Sequence, residues 1–141
     1  MEKIMTVIIA FAGIIFGPYI LTGIINGRQN DQSYLEKIDT GRDVIVTIDG
    51  ENILMDVENY VAGVLPGIVD WKESEDIIQA QAVAVRGNIY YAMGNETVIQ
   101  SGKLQYVYYD REALKKRLGK NYKKAVKIYE KAIVDTKGIT K

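Results

Sequence analysis

Twenty-two consecutive residues without a charge, Ile4 to Ile25 (IMTVIIAFAGIIFGPYILTGII), limit what the rest of the chain can be. Crossing a hydrocarbon core takes about 20 apolar residues, so this run is long enough to span one. It exceeds the apolar region of a typical signal peptide, and no small-x-small cleavage site follows it cleanly. Pro18 would kink a membrane helix without forbidding it. Tyr19 stands where an interfacial ring would anchor. The sequence therefore predicts an uncleaved transmembrane anchor over residues 1–25, ahead of a cleaved signal peptide and a buried soluble helix. Lys3 on one side and Arg28 with Asp31 on the other barely orient it.

The 141 residues have room for one domain. The chain has no Cys, and its 18 basic and 18 acidic side chains include no His. Disulfide frameworks, zinc sites, Cys nucleophiles and His-based triads are excluded, and no cofactor or metal is expected. Any acid–base chemistry falls to Asp, Glu, Tyr or Lys. Charge is unevenly spread. Asp31 to Gly102 holds 13 acidic and 4 basic residues, whereas Lys103 to Lys141 holds 12 basic and 4 acidic. A basic C-terminal third can face an anionic polymer, or it can be a solvated helix face. The Lys-rich stretch through Lys115, Lys116, Arg117, Lys120, Lys123 and Lys124 carries no nucleic-acid motif, so no nucleic acid is expected as a partner.

Residues 26–43 are polar and read as a linker. Val44 to Ile48 alternates β-branched and apolar residues and ends in Asp49-Gly50, with a second run from Asn52 to Met55. Asp-Gly between two such runs signals a hairpin, because both turn positions need positive φ. Asp56 caps a helix from Val57 to about Leu65, which Pro66-Gly67 breaks. Ser74 caps a long Ala-rich helix to Met93 that Gly94 ends, with Ile77, Ala80, Ala84 and Asn88 on related faces. Asn95 to Gly102 reads as a loop and Leu104 to Tyr109 as a short extended run. Asp110 caps a helix to Leu118, ended by Gly119. A last helix, Tyr122 to Thr136, carries an apolar stripe through Val126, Tyr129 and Ile133. The fold class expected is α+β, with an N-terminal transmembrane helix, a hairpin, an Ala-rich central helix and two C-terminal helices.

Residues 58–86 read ENYVAGVLPGIVDWKESEDIIQAQAVAVR. This stretch resembles the signature of the SpoIID/LytB family of cell-wall proteins: a Tyr-Val-x-Gly-Val-Val block, a Glu-Met-Pro, then an Ala-Leu-Lys-Ala-Gln-Ala-Val-Ala-Ala-Arg-Thr-Tyr helix. Tyr60, Val61, Gly63 and Val64 match the first block. Ala80, Gln81, Ala82, Val83, Ala84 and Arg86 match the last at the same separation. Near the C-terminus Ile133, Val134, Thr136 and Gly138 partly match an Ala-Val-x-x-Thr-x-Gly segment. The resemblance covers residues 44–141 and implies a partial domain, because relatives continue with further strands. An incomplete sheet would leave an unpaired edge, which points to a partner chain, a homo-oligomer such as a homodimer, or marginal stability.

The resemblance also implies chemistry. Relatives with lytic transglycosylase activity use one Glu to protonate a glycosidic oxygen, and burial in a partly apolar pocket suits that role. Here Ile68 occupies that position, and Asp70 stands for the Pro of Glu-Met-Pro. Asp70 and Glu73 are the weak substitute acids, displaced by two and five residues. Gln81, Arg86 and Tyr60 are the candidate substrate-binding residues. Arg86 can bind a peptide-stem carboxylate or pair with a neighbouring acid, and Gln81 can bind a sugar hydroxyl or satisfy backbone groups. Trp71 can stack on a sugar or pack at the core edge. The resemblance implies a membrane-anchored, extracytoplasmic protein whose partner is peptidoglycan or a wall hydrolase. An active transglycosylase using Asp70 or Glu73 and a membrane-tethered interaction module with no glycan role are the alternatives.

Overall fold

The computed structural model describes residues 34–141. The expected membrane segment, residues 4–25, lies outside the described residues. Among those described, no helix is long and apolar enough to cross a membrane.

The described residues form a small mixed α+β domain with a three-stranded sheet. The first piece is a 3-10 turn, Tyr34–Lys37, that places Leu35 in the core. Within residues 34–43, the end of the expected linker, Leu35 is buried and Thr40 is hydrogen-bonded to Asp56, whereas Lys37, Asp39 and Gly41 are exposed. Asn59 donates a hydrogen bond to the Leu35 carbonyl. Asp56 accepts from both the Thr40 amide and hydroxyl, at 2.7 and 2.9 Å. One buried Leu and one carboxylate are thus enough to dock a polar segment.

Strands β1 (Asp43–Ile48) and β2 (Glu51–Asp56) pair antiparallel in the register Asp43↔Asp56 to Ile48↔Glu51. Asp49 and Gly50 take φ of 52° and 82° in the tight turn, as the Asp-Gly pair requires. Strand β3 (Val98–Gln100) lies on the other side of β1 and runs parallel to it, with Val44 opposite Ile99, so the sheet order is β2-β1-β3. The reading of residues 95–102 as a loop missed this strand. Leu104 to Tyr109, expected to be extended, pairs with no strand; the Tyr109 amide instead donates to the Gly63 carbonyl at 2.9 Å.

Two helices occupy the crossover from β1 to β3. Helix α1 (Val57–Val64) starts where Asp56 accepts from the Glu58 amide, and it continues into a 3-10 turn, Leu65–Gly67. Helix α2 (Glu75–Met93) is capped by Ser74 and ended by Gly94 at φ 60°. Its buried face is Ile78, Ala82, Val85, Arg86, Ile89 and Met93. The expected face through Ile77, Ala80, Ala84 and Asn88 is exposed. The stripe is displaced by one position because the bulky residues at helical spacing are Ile78, Ile89 and Met93. Helix α3 (Arg111–Leu118) is capped by Asp110, and helix α4 (Tyr122–Asp135) buries Ala125, Tyr129, Ala132 and Ile133 against α1 and α2. Val44 and Val46 of β1 face the same core.

Among the described residues no strand pairs with the outer edge of β2. Leu54 is 59 % exposed there, and Ile53 is exposed beside it.

Candidate functional site

Ile68 ends the 3-10 turn after α1, with its amide donating to the Leu65 carbonyl. Its side chain is 41 % exposed. The ring of Tyr109 lies against the preceding Gly67, where a Cβ would collide with it. Arg117 caps that ring, its guanidinium 4.8 Å from the centroid and hydrogen-bonded to the phenol oxygen. An aliphatic side chain therefore stands at the surface beside an aromatic–cation pair, and it can neither give nor take a proton.

The two substitute acids are both exposed. Asp70 is occupied in the turn, where Oδ1 accepts from the Lys72 amide at 2.8 Å. Glu73 lines a groove of about 560 Å³ between the start of α2 and α4. Trp71 forms one wall, with the Lys72 and Lys124 ammonium groups 5.8 and 5.5 Å from its ring. Glu75 and Lys131 line the same groove, and Lys131 bridges Glu75 and Asp135. This arrangement joins an aromatic face, ammonium groups and carboxylates in one open depression. It can bind a polar polymer by stacking and hydrogen bonding, but its carboxylates lack the apolar enclosure that a glycosidic proton donor uses. Below it the Tyr129 hydroxyl donates to the Val69 carbonyl at 2.6 Å, and burial, then the charge of Asp70, pushes its pKa up to about 12.

Arg86 does not face a groove. It is fully buried, and its Nε and Nη2 donate to the carboxylate of Glu58 at 2.9 and 2.8 Å. Its Nη1 donates to the Thr136 and Ile139 carbonyls at 2.9 and 2.8 Å, and Nη2 also reaches the Ile133 carbonyl. The guanidinium thus joins α1 to the C-terminus of α4, where carbonyls left over from helix bonding attract a cation. Pairing with a neighbouring acid is the role the geometry gives it. A carboxylate does stand beside Arg86, but Glu58 is equally sealed and cannot reach a sugar. The sequence reading passed over Glu58. One signal was available: Glu58, Val61 and Leu65 share the apolar stripe of α1, so the acid needed a buried cation.

Gln81 is half-buried on α2 and lines neither the Trp71 groove nor the cavity that holds Tyr60. Gly87, which follows Arg86, packs close to the backbone at Thr140, whose carbonyl a Cβ at this position would strike. Tyr60 is fully buried and stacks on Tyr108, with centroids 5.5 Å apart and planes 7° from parallel. It lines a separate cavity of about 350 Å³ between the end of β1 and residues 101–110. The structure therefore does not bring the three expected binding residues together. Among the described residues no cluster of His, Cys, Asp and Glu could hold a metal ion.

Residues 51–140 match the family described as SpoIID, stage II sporulation protein. The chain belongs to the SpoIID family. No curated protein and no solved structure matches it. Membership ties this SpoIID domain to a sporulation or cell-wall-related role. The matched span runs from β2 through the Thr136–Gly138 segment, so it includes both halves of the Glu58–Arg86–Thr136 clasp.

Proposed function

We propose that this SpoIID protein is a membrane-anchored, extracytoplasmic protein that binds peptidoglycan, or assists a wall hydrolase, without cleaving glycan itself. The observation that carries the reading is Ile68, an exposed aliphatic side chain at the family's acid position in a domain whose interior clasp is intact. General acid–base catalysis contributes about 10²–10⁴-fold and requires the acid within hydrogen-bond reach of the scissile oxygen. The Trp71 groove supplies the binding surface, with a ring for a sugar face and flanking lysines for carboxylates of the polymer.

Two assays on the full chain test this. Sedimentation with purified peptidoglycan should carry the protein into the pellet, and Trp71→Ala should reduce the bound fraction. Muropeptide analysis after incubation should show no anhydro products; their release would overturn the reading. An active enzyme using Glu73 is the second reading, favoured over Asp70 because Glu73 lines the groove. Glu73→Gln would then abolish release. Failure to sediment would leave the membrane-tethered interaction module as the surviving alternative.

A further inference from the structure

The cavity beside Tyr60 shares no lining residue with the Trp71 groove. Its polar lining includes Thr47, Asp49, Tyr60, Tyr106, Tyr108 and Asp110, and among the described residues no lysine or arginine lines it. A cavity of about 350 Å³ falls in the size range of small-molecule sites, about 300–1,000 Å³. The Tyr60 hydroxyl is buried and has no hydrogen-bond partner among the described residues. A buried, unpaired hydroxyl is unfavourable by roughly 1–3 kcal/mol, and a ligand oxygen reaching it from the cavity that Tyr60 lines would remove that deficit. Burial, then Tyr106, pushes its pKa up to about 12, which keeps it a neutral phenol across the physiological range.

Two carboxylate residues, Asp49 and Asp110, line the cavity, and no described lysine or arginine does; Asp110 Oδ1 also accepts from the Ala113 amide at 2.8 Å. They favour a cation, while the hydroxyls favour a directional hydrogen-bonding partner over a bare ion. We propose that this cavity binds a small ligand carrying a primary ammonium beside a hydroxyl or carbonyl oxygen, of which an unacetylated amino sugar is the simplest representative. The ammonium meets Asp49 and Asp110, and the neighbouring oxygen accepts from Tyr60. The wall-binding reading guides only the choice of an amino sugar as probe.

The test is calorimetric titration of the full chain in detergent with free glucosamine, N-acetylglucosamine and glucose. Glucosamine should bind saturably in the millimolar range, at least about tenfold more tightly than either neutral sugar, as expected for loss of a charged hydrogen bond. Tyr60→Phe should weaken glucosamine roughly threefold to tenfold with a melting temperature unchanged or higher, because it deletes an unpaired group. Asp110→Asn keeps an N-cap residue of equal quality, and Asp49→Asn suits the positive φ of the turn, so both should fold and bind about tenfold more weakly. Absence of saturable binding overturns the proposal. So does equal affinity for glucose, or parental affinity in all three variants. Loss of binding in Tyr60→Phe together with a lowered melting temperature would assign the hydroxyl an internal structural role and overturn it too. Because the probe is a free monosaccharide, this result stands or falls separately from sedimentation with the wall.

Discussion

Helix α2 carries two ion pairs of opposite character. At its start Glu75 meets Lys131, which also holds Asp135, with Lys131 and Glu75 side chains 64 % and 57 % exposed. About three turns on, Arg86 meets Glu58 with both side chains fully buried. The distances are almost equal, 2.9 and 2.8 Å. Water separates their consequences. The outer pair is screened and contributes about 0–1 kcal/mol, whereas removing one partner of the inner pair strands a charge in the core. Arg86 of the inner pair also donates to the carbonyls of Ile133, Thr136 and Ile139 at and after the end of α4. Contact distance alone therefore says little about which pair the fold depends on.

Breaking the inner pair is the largest effect expected. Arg86→Met or Glu58→Gln should lower unfolding free energy by about 3–5 kcal/mol in urea titration. The double variant Glu58→Leu with Arg86→Met should recover part of that loss, but not all, because the Ile139 carbonyl loses its donor and the Thr136 and Ile133 carbonyls each lose one of theirs. A small loss in the single variants would erase the contrast between the two pairs. Next comes Gly63→Ala. A Cβ there collides with the Tyr108 ring that stacks on Tyr60, and overpacking of this kind is unfavourable by about 1–3 kcal/mol.

Alkaline titration comes third. Tyr60, Tyr108 and Tyr129 all have pKa values pushed from 10.0 up to about 12, in each case chiefly by burial. Between those values the folded chain holds protons that the unfolded chain has released. Their contribution is intact below pH 10 and is lost as pH rises toward 12. Melting temperature followed with tyrosinate absorbance should show the two falling and rising together. The smallest effect belongs to Lys131→Ala, expected at or below about 1 kcal/mol and vanishing at high salt.

Local chemistry was plainly written in the sequence. Asp56, Ser74 and Asp110 cap helices where their side chains predict, Gly94 and Gly119 end two of them, and Asp49-Gly50 turns the hairpin. Non-local pairing was not. Strand β3 has three residues, too few to show a period, and it exists because Val44 lies opposite Ile99 across a long crossover. The 3-10 turn at Tyr34–Lys37 rests on one buried Leu in a polar stretch. The face of α2 was misread because Ala is compatible with either side of a helix, so the sparse bulky residues had to decide it. At the site, Ile68 was identifiable from the family signature, whereas the seclusion of Arg86 required knowing that Thr136 and Ile139 return to it.

Arg86 finds its carboxylate 28 residues earlier and its carbonyls 50 and 53 residues later. On the ribosome, α2 emerges with its cation unanswered on one side until Ile139 has cleared the exit tunnel. The clasp can therefore close only after Ile139 has left the ribosome, and a nascent chain stalled before Thr136 should remain open to proteases.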